Sequence, residues 1–458
     1  MVTTTIANKE DAMRSIGFSG TVRLCVLIVV MLGLVVGMGF GAGQAEGGGE
    51  ASQEVTEVNL WVHNHPPLVN WLEQKIVEFN GQNPDVEVVL RAYPSNEMRR
   101  QVMVAYGAGD SPVIFDLFAS DFANIVARDM TASLDYEALG LDSLDEWTDG
   151  WFGPAIGAAM RDGDVRAVPY LGNPFSLFIN TEHFEEAGLD PVEDAPETWE
   201  ELIQVAEQLT IRGDDGEIER QGFALPYNQG PHWWGLIWVP ILRQYGGSVL
   251  NEDGTEVTFH EEPGVQALQL FHDMVHENQI TSPGVSVADS VNVNQDFIEG
   301  LTSMWISGTW AIGTLEGHDI IDNYAVVPLP QVDPENPHSM LGGWWWYVSN
   351  QADPDVQAAA WRFLDFYSQD PGGQLENTGL VMPKKDLLES DAWADFPFHD
   401  AFAKDLAAGG WPYTSRAAAQ IEDAIDTAID RVLIEGADPA EALNDAAAQA
   451  NEALADLE

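Results

Sequence analysis

The sequence predicts an α/β protein of two lobes, each with a mostly parallel sheet flanked by helices, joined by hinge crossovers. Three observations carry that prediction. The folded body opens with a βαβαβ order, the same grammar resumes after Arg166, and 458 residues exceed what one core holds. Single cores rarely grow past roughly 250–300 residues. With 45% hydrophobic residues, the chain has enough apolar side chains to fill large cores, which excludes wholesale disorder.

Residues 55–63 (VTEVNLWVH) alternate apolar and polar, the period of a half-buried strand. Residues 69–80 carry apolar side chains at helical spacing and are stopped by Gly81 and Pro84. A strand over 86–92, a helix over 97–106 and a buried strand over 112–118 (PVIFDLF) follow. Strands in this alternation read as βαβ units and a parallel sheet. Beyond Arg166, short strands fall at 167–169 and 177–180, and a long helix at 198–209. Its start is marked by Thr198, whose hydroxyl caps, and by Glu201 at the capping-box position. The Ala-rich tail over 421–457 is helical, interrupted near Gly436 to Pro439. No repeat or low-complexity linker separates the halves, so short crossovers must join them. The expected division is 55–172 with 310–348 in one lobe, and 173–309 with 349–458 in the other.

The N-terminus predicts export. Residues 24–40 form a 17-residue apolar run, preceded by Arg14 and Arg23 and followed by Gly41-Ala42-Gly43-Gln44-Ala45. That is the layout of a signal peptide over 1–45, cleaved after Ala45, with a retained anchor as the alternative. Glu10 and Asp11 are unusual before such a run, and Met13 would give a more typical start. The single cysteine, Cys25, sits at the start of the run rather than after it, which disfavours lipid attachment. A mature chain then has no disulfide and no thiol chemistry. Residues 46–54, rich in Gly and Glu, read as a flexible leader.

The formal net charge is −55, from 74 Asp and Glu against 19 Lys and Arg. Nucleic acid and anionic membranes need clustered cations, so neither is an expected partner. Such an excess repels itself in dilute buffer and is screened within ~3 Å at ~1 M salt. Lys is scarce, five against fourteen Arg, and the composition reads as that of a protein bathed in brine.

Several segments, in order, carry a resemblance. Residues 163–209 (GDVRAVPYLGNPFSLFINTEHFEEAGLDPVEDAPETWEELIQVAEQL), 297–310 (FIEGLTSMWISGTW), 326–330 (VVPLP), the Gly342-Gly343 pair, 358–366 (AAAWRFLDF) and 440–454 (AEALNDAAAQANEAL) resemble the extracellular solute-binding proteins of ABC importers. The similar branch is the sugar-binding, maltose-binding-protein-like family, and the resemblance covers nearly all of the chain after Val55. It implies a type II periplasmic-binding-protein fold, two lobes closing on a ligand, no bond made or broken, no cofactor, and a monomer that delivers ligand to membrane permease subunits.

A sugar offers C–H faces to aromatic rings and hydroxyl edges to amides, carboxylates, Arg and His. Sixteen Trp are present, several clustered beside turns: Trp233-Trp234, Trp305 with Trp310, Trp344-Trp345-Trp346 and Trp411. The resemblance places Trp310 at the Trp of the family's "G.W" motif, where a sugar ring stacks. It places Asn173 at a cleft position that is acidic in the maltose-binding branch. His63, Asn64 and His65 follow the first strand, and Ser120 and Asp121 end the third, at the carboxyl edge where such sheets meet ligand. Gly342 and Gly343 would let backbone approach the ligand beside Trp344 and Trp345, and Arg416 would fork onto hydroxyls or a carboxylate. Tyr227, Asn228 and His232 are secondary candidates, and Asp116 reads as either a buried capping carboxylate or a ligand contact.

Bland readings compete. Any of these Trp could bridge core and hinge, and His63 with His65 lacks a third metal ligand. His272 and His276 lie four apart on a helix without the Glu of a metalloprotease motif. Turn signals at 214–216 and 251–254 are not calcium loops, and no P-loop or nucleophile elbow occurs. The other function class to weigh is a secreted glycoside hydrolase, which needs two carboxylates across the scissile bond, and none are nominated. Within the binding class, a phosphorylated polyol or a glycoside is the alternative ligand.

Overall fold

Residues 55–225, 231–282 and 292–456 are described by a computed structural model of the chain. The expected signal peptide and leader, Tyr227, Asn228 and the side chain of His232 lie outside the described residues. Among the described residues, no helix is long and apolar enough to cross a membrane.

Two principal sheets organise the body. The first holds β1 (Thr56–His63), β2 (Val86–Tyr93), β3 (Ile114–Phe118) and a late strand, β8 (Trp344–Val348), in the order β8-β3-β1-β2. β1 pairs in parallel with both β2 and β3, while β8 runs antiparallel against β3. Alternation decides which face of β1 is covered: Val58, Leu60 and Val62 are fully buried. Each is worth ~1.5–3 kcal/mol over exposure. The helix Pro66–Gln82 supplies Leu68, Leu72, Ile76 and Phe79 from one face, so its helical period matches the strand's period of two.

The second sheet is built around β4 (Asn173–Asn180), all eight residues of which are buried. β4 pairs antiparallel with β5 (Met304–Gly308), β6 (Tyr324–Val327) and β7 (Ser339–Gly342), and β7 pairs in parallel with β9 (Gly409–Gly410). The expectation of a mostly parallel sheet therefore holds for the first lobe and not for the second, where the central strand runs against its three neighbours. A strand covered on both faces sends alternate side chains into different cores. Phe175, Leu177 and Ile179 join a core with the helices Pro231–Gln244, Glu262–His276, Ala418–Glu435 and Pro439–Ala455, while Phe178 joins another with Trp305, Tyr324 and Phe402.

The lobe boundaries also differ from the expected ones. β6 and β7 pair in the second sheet, and β8 with the helix Pro354–Ser368 belongs to the first core. The chain crosses out at Leu171 to Asn173 and returns at Gly343, the single residue between β7 and β8. A Cβ on Gly343 would stand 1.9 Å from the Leu171 carbonyl oxygen, so the two crossovers touch backbone to backbone. A third segment of the hinge comes from Val381. Its carbonyl accepts from the Gly172 N–H at 2.8 Å, and its own N–H donates to Asn173 Oδ1 at 2.7 Å.

Candidate ligand-binding cleft

The floor of the cleft starts with a buried carboxylate. Asp116, in the middle of β3 and wholly inaccessible, accepts from the His63 backbone N–H (3.0 Å to Oδ1), from the Tyr170 hydroxyl (2.7 Å) and pairs with His63 Nδ1 (2.6 Å to Oδ2). Such a group is tolerated in a core only when its oxygens are bonded. Burial, the Asp116 charge and that hydrogen bond hold the Tyr170 hydroxyl protonated, well above the usual tyrosine range. Trp346, opposite Asp116 on β8, stacks on Tyr170 with centroids 3.8 Å apart. Two residues along β8, Trp344 stacks on His63 at 4.2 Å and 13° and meets Phe118 edge-on.

The second lobe contributes a matching aromatic group. Trp310 opens the short helix Trp310–Leu315 and packs against all three cores. Its ring folds back over the end of β5, where a Cβ on Gly308 would lie 2.0 Å away, so the glycine of the "G.W" pattern makes room for the tryptophan itself. Phe175 and Trp233 meet Trp310 edge-on at 5.1 and 6.2 Å.

Between these groups lies a cavity of about 440 Å³, within the ~300–1,000 Å³ usual for small-molecule sites. Its wall is made by His63, Asn64, His65, Pro94, Ser95, Asn96 and Phe118 from the first lobe. Leu171, Asn173, Gly342, Gly343, Trp344 and Leu380 come from the crossovers, and Phe175, Trp233, Leu236, Asn294 and Trp310 from the second lobe. Among the described residues lining it, there is no Lys, Arg, Asp or Glu. Burial first, and then the neighbouring His63, depress the His65 imidazole to about 4, against a backbone bond at Thr378 that raises it. His65 is therefore uncharged at neutral pH.

The candidates from sequence divide cleanly. His63, Asn64, His65, Asn173, Trp233, Trp310, Gly343 and Trp344 line the cavity. Ser120, Asp121, Trp234, Trp345 and Arg416 do not. Trp234 follows Trp233 on one helix, about 100° round it, and enters the core. Trp345 follows Trp344 on a strand and so faces the opposite side, where it meets Phe122 and Trp411 edge-on. Ser120 donates to Glu422 at 2.6 Å, and Arg99 bridges Asp121 (2.8 Å) and Glu422 (3.0 Å). The predicted edge of β3 is thus spent fastening the helix Ala418–Glu435 to the first lobe. Burial, offset by Arg99 and reinforced by Glu422, lifts Asp121 to about 6. Arg416 is exposed.

Two lining candidates carry structural duties as well. The Asn173 Oδ1 accepts from Val381 N and from Thr309 Oγ1 (3.1 Å), so its oxygen belongs to the hinge. Gly343 admits the Leu171 carbonyl rather than a ligand. Residues missed from sequence include Ser95 and Asn96, which follow β2 as Asn64 and His65 follow β1; the same edge rule would have found them. Asp116 is the buried carboxylate of its two readings, covered by His63 and absent from the cavity wall. No cluster of three metal-ligating side chains occurs among the described residues.

A family model described as bacterial extracellular solute-binding protein matches residues 74–401. The chain is a member of that family. This solute-binding protein is 23% identical over 325 residues to the maltotriose-binding protein of Pyrococcus abyssi, an alignment covering 69% of this chain but 63% of that relative's length. It is 22% identical over 337 residues to the sn-glycerol-3-phosphate-binding periplasmic protein of Shigella dysenteriae, covering 69% and 72% of the two chains. In three dimensions it resembles a solute-binding protein of Thermotoga lettingae bound with α-D-tagatose. The TM-score is 0.75 at 19% identity, over 87% of this chain and all of the other. At that identity the likeness speaks for the two-lobed fold.

Proposed function

We propose that this solute-binding protein captures an uncharged sugar or oligosaccharide between its lobes and hands it, chemically unchanged, to the permease of an ABC importer. The observation that carries this reading is the cavity wall: three Trp, two Phe and four Asn, with no formally charged Lys, Arg, Asp or Glu among the described residues lining it. Ring faces suit the C–H patches of a pyranose, and amides suit its hydroxyls. Trp310 and Trp344 are the primary stacking residues, with Asn64, Asn96, Asn173, Asn294 and His63 around the edge. Ligand contacts that form only when both lobes engage favour the closed form, so closure is a population shift.

A phosphorylated polyol would leave its charge without a cation among the described residues of this wall, and Arg416 stands apart from it. A hydrolase would lack its pair of carboxylates there. We further read the chain as a monomer exported by residues 1–45, working outside the cytoplasm in a salt-rich medium. Melting scans in molar NaCl with maltotriose, D-tagatose and sn-glycerol 3-phosphate test the ligand class, because a ligand bound only by the native state raises the midpoint. A neutral sugar should raise it and the phosphate should not. A shift with the phosphate alone would sink the proposal.

A further inference from the structure

We propose that His63 reads a hydroxyl of the bound ligand through Nε2, and that Asp116 is the positioning residue that keeps the ring proton on Nδ1. The inference rests on the saccharide reading above and deepens it.

Two constraints fix the imidazole. Its Nδ1 lies 2.6 Å from Asp116 Oδ2, and the same carboxylate holds the His63 backbone N–H through Oδ1. An ionised carboxylate only accepts, so the ring nitrogen facing it must carry the proton. The second constraint is Trp344, which lies flat against the ring at 4.2 Å and removes its freedom to swing. Asp116 is itself held by Tyr170, whose ring is stacked on Trp346. What remains at the cavity wall is Nε2, which has no hydrogen-bond partner among the described residues.

In the neutral ring, Nε2 therefore presents a lone pair, and a ligand O–H donates to it. If the ring gains a second proton, Nε2–H donates to a hydroxyl oxygen instead. A hydroxyl serves both states. A carbonyl, ether or phosphate oxygen could only accept, and so could pair with Nε2 only in the doubly protonated ring. The arrangement selects a hydroxyl-bearing ligand at this point of the cavity wall.

Replacing Asp116 by Asn keeps the shape but offers an N–H to Nδ1, which would move the proton to Nε2 and abolish the acceptor. The test uses the full chain labelled with ¹⁵N. Imidazole ¹⁵N shifts should report a proton on Nδ1 of His63 in the parent and on Nε2 in Asp116→Asn. Titration with whichever of maltotriose and D-tagatose the parent binds should show affinity about tenfold lower or worse in His63→Phe, whereas Asp116→Asn, whose Nε2–H can still donate to a hydroxyl oxygen, should lose less. The Phe variant retains the stack on Trp344. A proton on Nε2 in the neutral parent ring would overturn the positioning role, and this readout needs neither ligand nor variant. Unchanged affinity in His63→Phe would overturn the hydroxyl-reading role. If neither sugar binds the parent, the saccharide reading fails and that role fails with it, while the ring shifts still decide the part played by Asp116.

Discussion

Asp405 illustrates how a single buried group sets a response of the whole chain. It accepts from Ser176 Oγ at 2.5 Å and from the Leu329 N–H at 3.1 Å, yet burial outweighs these bonds and lifts its pKa from 3.8 to about 7. The folded state thus holds a proton that the unfolded chain releases near pH 4. Stability from this group is complete below that point and is lost as pH rises towards 7. Replacement by Asn removes the titration while keeping an acceptor for Ser176. Thermal midpoints of parent and Asp405→Asn, compared from pH 4 to 8 in molar salt, should diverge, with the parent falling more steeply. Parallel curves would refute the assignment. Nothing in the sequence around Asp405 distinguishes it from the many surface carboxylates, because its burial depends on β4 and the Leu329 backbone arriving from elsewhere.

At the scale of elements, the hinge is the part most sensitive to small changes. Gly343 faces the Leu171 carbonyl so closely that one methyl must push the crossovers apart. Gly343→Ala should lower unfolding free energy in denaturant titrations by ~1–3 kcal/mol, the usual cost of overpacking, and weaken ligand binding as well. No loss of stability would mean the crossovers are not in register as described. Local signals were readable in the sequence where the partner lies nearby. Thr198 and Glu201 form their reciprocal capping box. Gly436 ends the helix Ala418–Glu435 in a left-handed conformation close to the expected break. Long-range pairings were not readable. Ser120 and Asp121 sit where the edge rule puts them, but Glu422 is 302 residues away from Ser120 in sequence. Likewise, runs of Trp announce an aromatic site without phase, and only the strand and helix periods separate Trp344 from Trp345 and Trp233 from Trp234.

For the whole molecule, the charge and the cleft are complementary. Arg99, Arg166, Arg220, Arg362 and Arg431 already pair with carboxylates in the folded chain, and the 74 acids far exceed the cations available. The surplus must be screened by the medium, so the melting midpoint should climb from dilute buffer to ~1 M NaCl, where the Debye length is ~3 Å. A midpoint insensitive to salt would contradict the brine reading and leave the binding reading intact. The described residues of the cavity wall, by contrast, include no Asp or Glu, so its affinity for a neutral sugar should vary far less with salt than stability does. That separation is what allows a strongly acidic protein to keep an uncharged site.

Calorimetric titration of the full chain with maltotriose and D-tagatose in molar NaCl, followed by chromatography of the cell contents, tests the central claim most directly. The account predicts saturable binding of one neutral sugar per chain, recovered unaltered, and a marked loss of affinity in Trp310→Ala. Cleavage products, or full affinity in the Trp310→Ala variant, would contradict it.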